Sequence, residues 1–116
     1  MPAASYDFVI EQGATLLKPI IWKDSAGVAI NLTGYTAKMQ VRQSTASTDV
    51  LLEMSTANNR ITLTPGTGTI TLVFSATLTA GITWSRGKYD LELTSPDGTV
   101  TRLIEGQISV SKEITR

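Results

Sequence analysis

Apolar and polar residues alternate on both sides of a four-residue turn in the last third of the chain. Tyr89, Leu91 and Leu93 interleave with Lys88, Asp90, Glu92 and Thr94. A period of two puts the apolar set on one face of a strand and the charged set in water. Ser95-Pro96-Asp97-Gly98 supplies the turn, so residues 88–110 predict a β-hairpin. On its return strand Ile104, Gly106, Ile108 and Val110 share one parity while Leu103 falls on the other. That break predicts a bulge near Arg102 or burial on both faces. Gly106 inside a strand predicts a close backbone approach.

The same alternation recurs upstream. Residues 6–11 predict a first strand with Tyr6, Phe8 and Ile10 on one face. Residues 16–23 predict a second. Pro19 lacks the N–H a ladder needs, which assigns this strand to a sheet edge or a bend. A short apolar strand is predicted at 28–32. Residues 35–43 carry Ala37, Met39 and Val41 against Lys38, Gln40 and Arg42, the cleanest alternation in the chain. Residues 50–54 follow. Residues 60–64 and 69–75 then form a second hairpin across Pro65-Gly66-Thr67-Gly68. Residues 75–84 lose the alternation, and Ser75 is placed to cap one helical turn near 75–81. This predicts a crossover between two sheets. Seven or eight short strands with turns every roughly 8–12 residues define an all-β, two-sheet antiparallel sandwich. A length of 116 residues fits one domain, 1–116, with short mobile ends at 1–5 and 111–116.

Composition narrows the function classes. Ten basic and ten acidic residues leave a net charge of zero. A sequence-independent nucleic-acid binder needs a cationic surplus, so no nucleic-acid partner is expected. No apolar run reaches the length of a membrane span and the N-terminus lacks a leader pattern, so no membrane partner is expected and synthesis in the cytoplasm is. The chain has no Cys and no His. That removes disulfides, Cys/His zinc sites and the commonest base for a Ser nucleophile. No metal or cofactor is expected.

Candidate chemistry is sparse. Asp90 and Glu92, two positions apart on a strand, stand roughly 6–7 Å from each other, a spacing that overlaps glycosidase pairs. Lys38, Arg42 or Arg102 across neighbouring strands would pair them as ordinary surface charges. Asp24, Asp49, Asp97 and Asn58-Asn59 fall in loops without the clustering calcium requires. Trp22, Trp84 and Tyr35 offer a stacking platform for a sugar, or cover for the core.

The order of four segments carries a resemblance. They are INLTGYTAKMQVR at 30–42, the ITLTPGTGTITLVFSA hairpin, Ser75-Ala76 opening a helical turn, and the terminal GKYDLELTSPDGTVTRLIEGQISVS. Together they resemble small structural proteins of tailed bacteriophages, in particular the immunoglobulin-like N-terminal domain of phage baseplate upper proteins. The resemblance implies an immunoglobulin-like sandwich. It also implies a non-enzymatic virion role at the tail, baseplate or neck, attaching fibre or receptor-binding components to other virion proteins in many copies. No receptor-binding region follows Arg116, which implies a free-standing adaptor. The alternatives are a capsid decoration protein and a carbohydrate-binding surface module. The candidate interface comprises Tyr6 and Phe8 on the first strand, Leu16, Leu17 and Pro19 on the second, and Trp22 and Trp84. Two contact modes are expected: pairing of the 16–23 edge with a partner's sheet, and ordering of the terminal segments on assembly.

Overall fold

The larger of two sheets is centred on the terminal hairpin. The structure is a computed structural model and describes residues 4–44 and 46–114. Strands β8 (Arg86–Thr94) and β9 (Val100–Ser111) pair antiparallel; β4 (Thr36–Arg42) joins β8, and β5 (Leu52–Ser55) joins β4. On the far side of β9, two short strands, β1 (Ala4–Ser5) and β2 (Phe8–Glu11), lie end to end and parallel to it. The smaller sheet has the order β3 (Leu16–Ile21), β7 (Thr69–Phe74), β6 (Ile61–Thr64). Helix α1 (Ala76–Ala80) carries the chain from β7 in one sheet to β8 in the other. This distribution of strands is that of an immunoglobulin-like sandwich.

The inward set follows the alternation. Met39, Val41, Leu91, Leu93, Ile108, Met54 and Ile10 from the larger sheet meet Ile70, Leu72 and Phe74 from the smaller one, all fully buried. Each such side chain contributes roughly 2 kcal/mol of transfer free energy. The Ser75 hydroxyl accepts from Leu78 N–H at 3.1 Å and caps α1. The buried Thr79 hydroxyl donates to the Ala14 carbonyl at 2.9 Å, tying α1 to the start of β3. The hairpin bulge lies where the register slips between Leu91 and Glu92, leaving Leu103 unpaired.

Three expectations are corrected. First, residues 6–11 are not one strand. Tyr6 and Asp7 interrupt it, and the Asp7 carboxylate accepts from Gln107 N–H at 2.8 Å, where a strand carbonyl would otherwise stand. Tyr6 therefore leaves the core parity and is 37 % exposed. Second, residues 28–32 form no strand beyond a single bridge, Lys23 with Ala29. Their backbone is used crosswise instead: Val28 accepts from Asp24, Ile30 donates to Trp22, and Leu32 donates to Pro65. Third, the N-terminal end is not loose as a whole, because Ala4 and Ser5 pair with Ile104 and Glu105. At the other end Ser111 closes β9. The parts of that expectation at 1–3 and 115–116 lie outside the described residues. Among the described residues there are nine strands, β1 being additional to the shortened first strand β2.

Tyr89 locks the first strands onto this frame. Its ring packs edge-on against Phe8 and its hydroxyl donates to the Tyr6 carbonyl at 2.6 Å. Burial, then the nearby Tyr6 and Asp7, push its pKa well above that of free tyrosine. A raised folded-state pKa means this contribution is complete below the unfolded value of about 10 and is lost as pH climbs beyond it. Tyr89→Phe is expected to cost about 1 kcal/mol at neutral pH. It should also flatten the fall in melting temperature above about pH 10; parallel melts of the two proteins across that range check both effects.

Candidate functional site

The two outer faces of the sandwich differ in kind. Ten strand residues of the larger sheet are charged, against one, Lys18, in the smaller. Lys18 has the inward parity of β3, and its ammonium lies over the Tyr6 ring at 5.2 Å and the Phe8 ring at 5.6 Å. It closes the flank of the sandwich rather than facing out. The strand residues on the outer face of the smaller sheet thus carry no charge; Lys23, exposed just past β3, and Arg60, opposite Val73 just before β6, mark its ends. Leu17, Pro19 and Ile21 stand on β3, opposite Val73, Thr71 and Thr69 on β7. Thr71 and Thr69 in turn lie opposite Thr62 and Thr64 on β6. Leu17 is 59 % exposed and Ile21 56 %.

This face continues around an edge. Among the described residues, strand β3 has a neighbour on one side only. Trp22 N–H donates to the Gly68 carbonyl at 2.8 Å, next to β7. Even-numbered residues of β3 therefore direct their N–H groups inward to the sheet, and odd-numbered ones direct theirs to the free edge. Pro19 puts its missing N–H on that edge, where no ladder bond is lost. The same geometry divides the edge, because the proline ring occupies the place of a hydrogen and leaves pairing groups at Leu17 and Ile21. Beyond the edge lies a cleft of about 810 Å³, lined by Ile20, Ile21, Trp22, Val100, Leu103 and Ile104, with Lys23 and Arg102 also on its wall. Val100 is 57 % exposed.

The residues singled out from the sequence separate in the structure. Leu17 and Pro19 lie on the charge-free face, and Leu16 is half-buried against the core. Phe8 is 7 % exposed, edge-on to Phe74 and Tyr89, so as an interface residue it is a correction: its parity turns it inward. Tyr6 stacks on Phe8 at the opposite edge of the flank. Trp22 and Trp84 are both half-buried against the core. Trp22 meets Tyr35 edge-on at 6.1 Å and 87°, so the two rings offer no common plane. Trp84 lies beside Leu78 and Ile82, after α1. Sequence reasoning missed Ile21, Val73 and the four threonines. The signal was present, since no charge occurs from Ile61 to Phe74.

The larger sheet presents the polar face. Lys38 pairs with Glu53 at 3.2 Å and Arg102 with Asp90 at 3.4 Å. Hydrogen bonds from Gln40 and then Lys38 hold the Glu53 carboxyl below the usual range. Asp90 is thus engaged by Arg102, one of the cross-strand partners expected for it. Among the described residues no three or more acidic side chains converge as a metal cluster would, and no helix is long and apolar enough to cross a membrane.

The strand order and register define the class: an immunoglobulin-like β-sandwich with one charged and one charge-free face. No protein-family model matches the chain. No curated protein matches it either. Among solved structures it is similar to the extracellular domain of the voltage-gated sodium channel beta4 subunit, described as forming parallel homodimers in cell-cell adhesion. That match has 13 % identity and a TM-score of 0.42, over 98 % of this chain and 97 % of the other.

Proposed function

We propose that this protein is a non-enzymatic docking module of a bacteriophage particle, an adaptor at the tail, baseplate or neck. The observation that supports docking is the charge-free outer face of the smaller sheet, with Leu17, Pro19 and Ile21 exposed at its edge. Water contact is costly for such a face, and burying it against a partner removes no charge from solvent. The virion setting is supported by the order of sequence segments described above. Affinity comes from apolar contact, supplemented by backbone pairing at Leu17 and Ile21 on either side of Pro19.

Quantitative mass spectrometry of purified particles tests this reading. A stoichiometry on the order of six or twelve copies per particle, set by the symmetry of a tail or neck, is expected. Hundreds of copies would identify a capsid decoration protein instead. Absence from particles would overturn the virion reading and bring the sugar-binding alternative forward.

A further inference from the structure

The outward face of β8 carries charges in an order that complements itself when reversed. Arg86, Lys88, Asp90 and Glu92 occupy alternate positions, with Gly87, Tyr89 and Leu91 buried between them. The signs along the strand are plus, plus, minus, minus. Strand β8 is central in the larger sheet, with β9 and β1 on one side and β4 and β5 on the other. Among the described residues only Asp90 of these four is in an ion pair.

We infer that two copies of this chain associate face to face through the larger sheet, about a two-fold axis that crosses β8 at the level of Tyr89. The axis lies in the interface and perpendicular to the strands, so β8 lies antiparallel over β8 of the second copy. Arg86 then faces Glu92 of the partner subunit, and Lys88 faces Asp90 of the partner subunit. Symmetry repeats both contacts, giving four ion pairs along one line. The flanking strands agree with this register. In the row of Lys88, Arg42 and Gln107 stand on β4 and β9; in the row of Asp90, Gln40 and Glu105 stand there. The axis exchanges these rows, bringing Arg42 over Gln40 and Gln107 over Glu105, so no like charges meet in them; in the outer row Glu92 stands between Lys38 and Arg102, whose charges are already paired with Glu53 and Asp90. Charge complementarity of this kind sets the register of an interface and suppresses others. The face used is opposite the charge-free one, so this inference stands or falls separately from the docking reading. The resulting dimer would present two charge-free faces outward, a bivalent arrangement.

Sedimentation analysis at about 0.1 mM protein tests it, because exposed ion pairs are screened by salt. A dimer at low salt is expected, weakened about tenfold or more as ionic strength is raised. Lys88→Glu places like charges together and should give a monomer; Asp90→Lys should do the same. Mixed, these two variants should form a heterodimer, because Glu at 88 then faces Lys at 90 and the native Lys88 faces Asp90. The double variant K88E/D90K should regain the homodimer. A monomeric wild type at low salt would overturn the proposal. So would single variants that dimerise as the wild type does, or monomeric variants that fail to recombine on mixing.

Discussion

Gly106→Ala is expected to destabilise the protein by about 3 kcal/mol, lowering the melting temperature by on the order of 10 °C. A Cβ at this position would collide with the Tyr6 carbonyl oxygen and stand 2.8 Å from the Asp7 carboxylate. Neither neighbour can give way cheaply. The Tyr6 carbonyl is held by the Tyr89 hydroxyl, and the Asp7 carboxylate by Gln107 N–H. Relief requires β1 and the Tyr6-Asp7 interruption to move off β9. Amide exchange should therefore accelerate at Tyr6 and Gln107 before it does elsewhere. Gly66→Ala serves as the control: an added Cβ meets nothing within 4 Å there, and a change within about 0.5 kcal/mol is expected. Equal melting temperatures for the two variants would contradict this account of how the first strands are held.

The double variant Leu17→Asp, Ile21→Asp is expected to have the opposite profile, a large loss of docking with little loss of fold. Both side chains project from the outer face of β3 and are more than half exposed, so their replacement leaves the core untouched and should shift the melting temperature by only a few degrees. In a docked state each aspartate would be buried against an apolar surface without a partner. Two unpaired charges in a desolvated contact cost about 3 kcal/mol or more, roughly a hundredfold in affinity. Supplying wild type and variant together during particle assembly, and measuring their ratio in purified particles, reads this directly. Near-equal incorporation would remove the charge-free face from the docking surface.

These two sites show what the sequence made legible. The close approach at Gly106 was readable because a glycine inside an alternating strand has few other uses. The edge position of β3 was readable from Pro19, and the crossover at 75–84 from the loss of alternation after Ser75. Each of these signals is local. The failures concern contacts between distant segments. Nothing near Tyr6 in sequence shows that Asp7 substitutes for a carbonyl opposite Gln107, a hundred positions away. Residues 28–32 alternate like a strand, yet their hydrogen bonds go to Trp22 and Pro65. Phe8, a candidate interface residue from the sequence, shares its parity with Ile10 and is buried with it.

The charge-free face was harder to see for a different reason. Leu17, Pro19 and Ile21 come from one segment, and Thr62, Thr64, Thr69, Thr71 and Val73 from another about fifty positions on. Only the β3–β7 register unites them. The self-complementary charges of β8 lie within one segment, Arg86 to Glu92, and could have been read directly. Alternation alone marks a solvated face there; the order of signs along it is what points to a second copy.

Photo-crosslinking from position 21 tests the docking claim most directly. A photoreactive amino acid replacing Ile21 lies on the proposed contact; one replacing Asp97, exposed in the β8–β9 turn, lies off it. Illumination of assembled particles should join position 21 to one other particle protein and leave position 97 unlinked. Crosslinks from position 97 with none from position 21 would contradict the account.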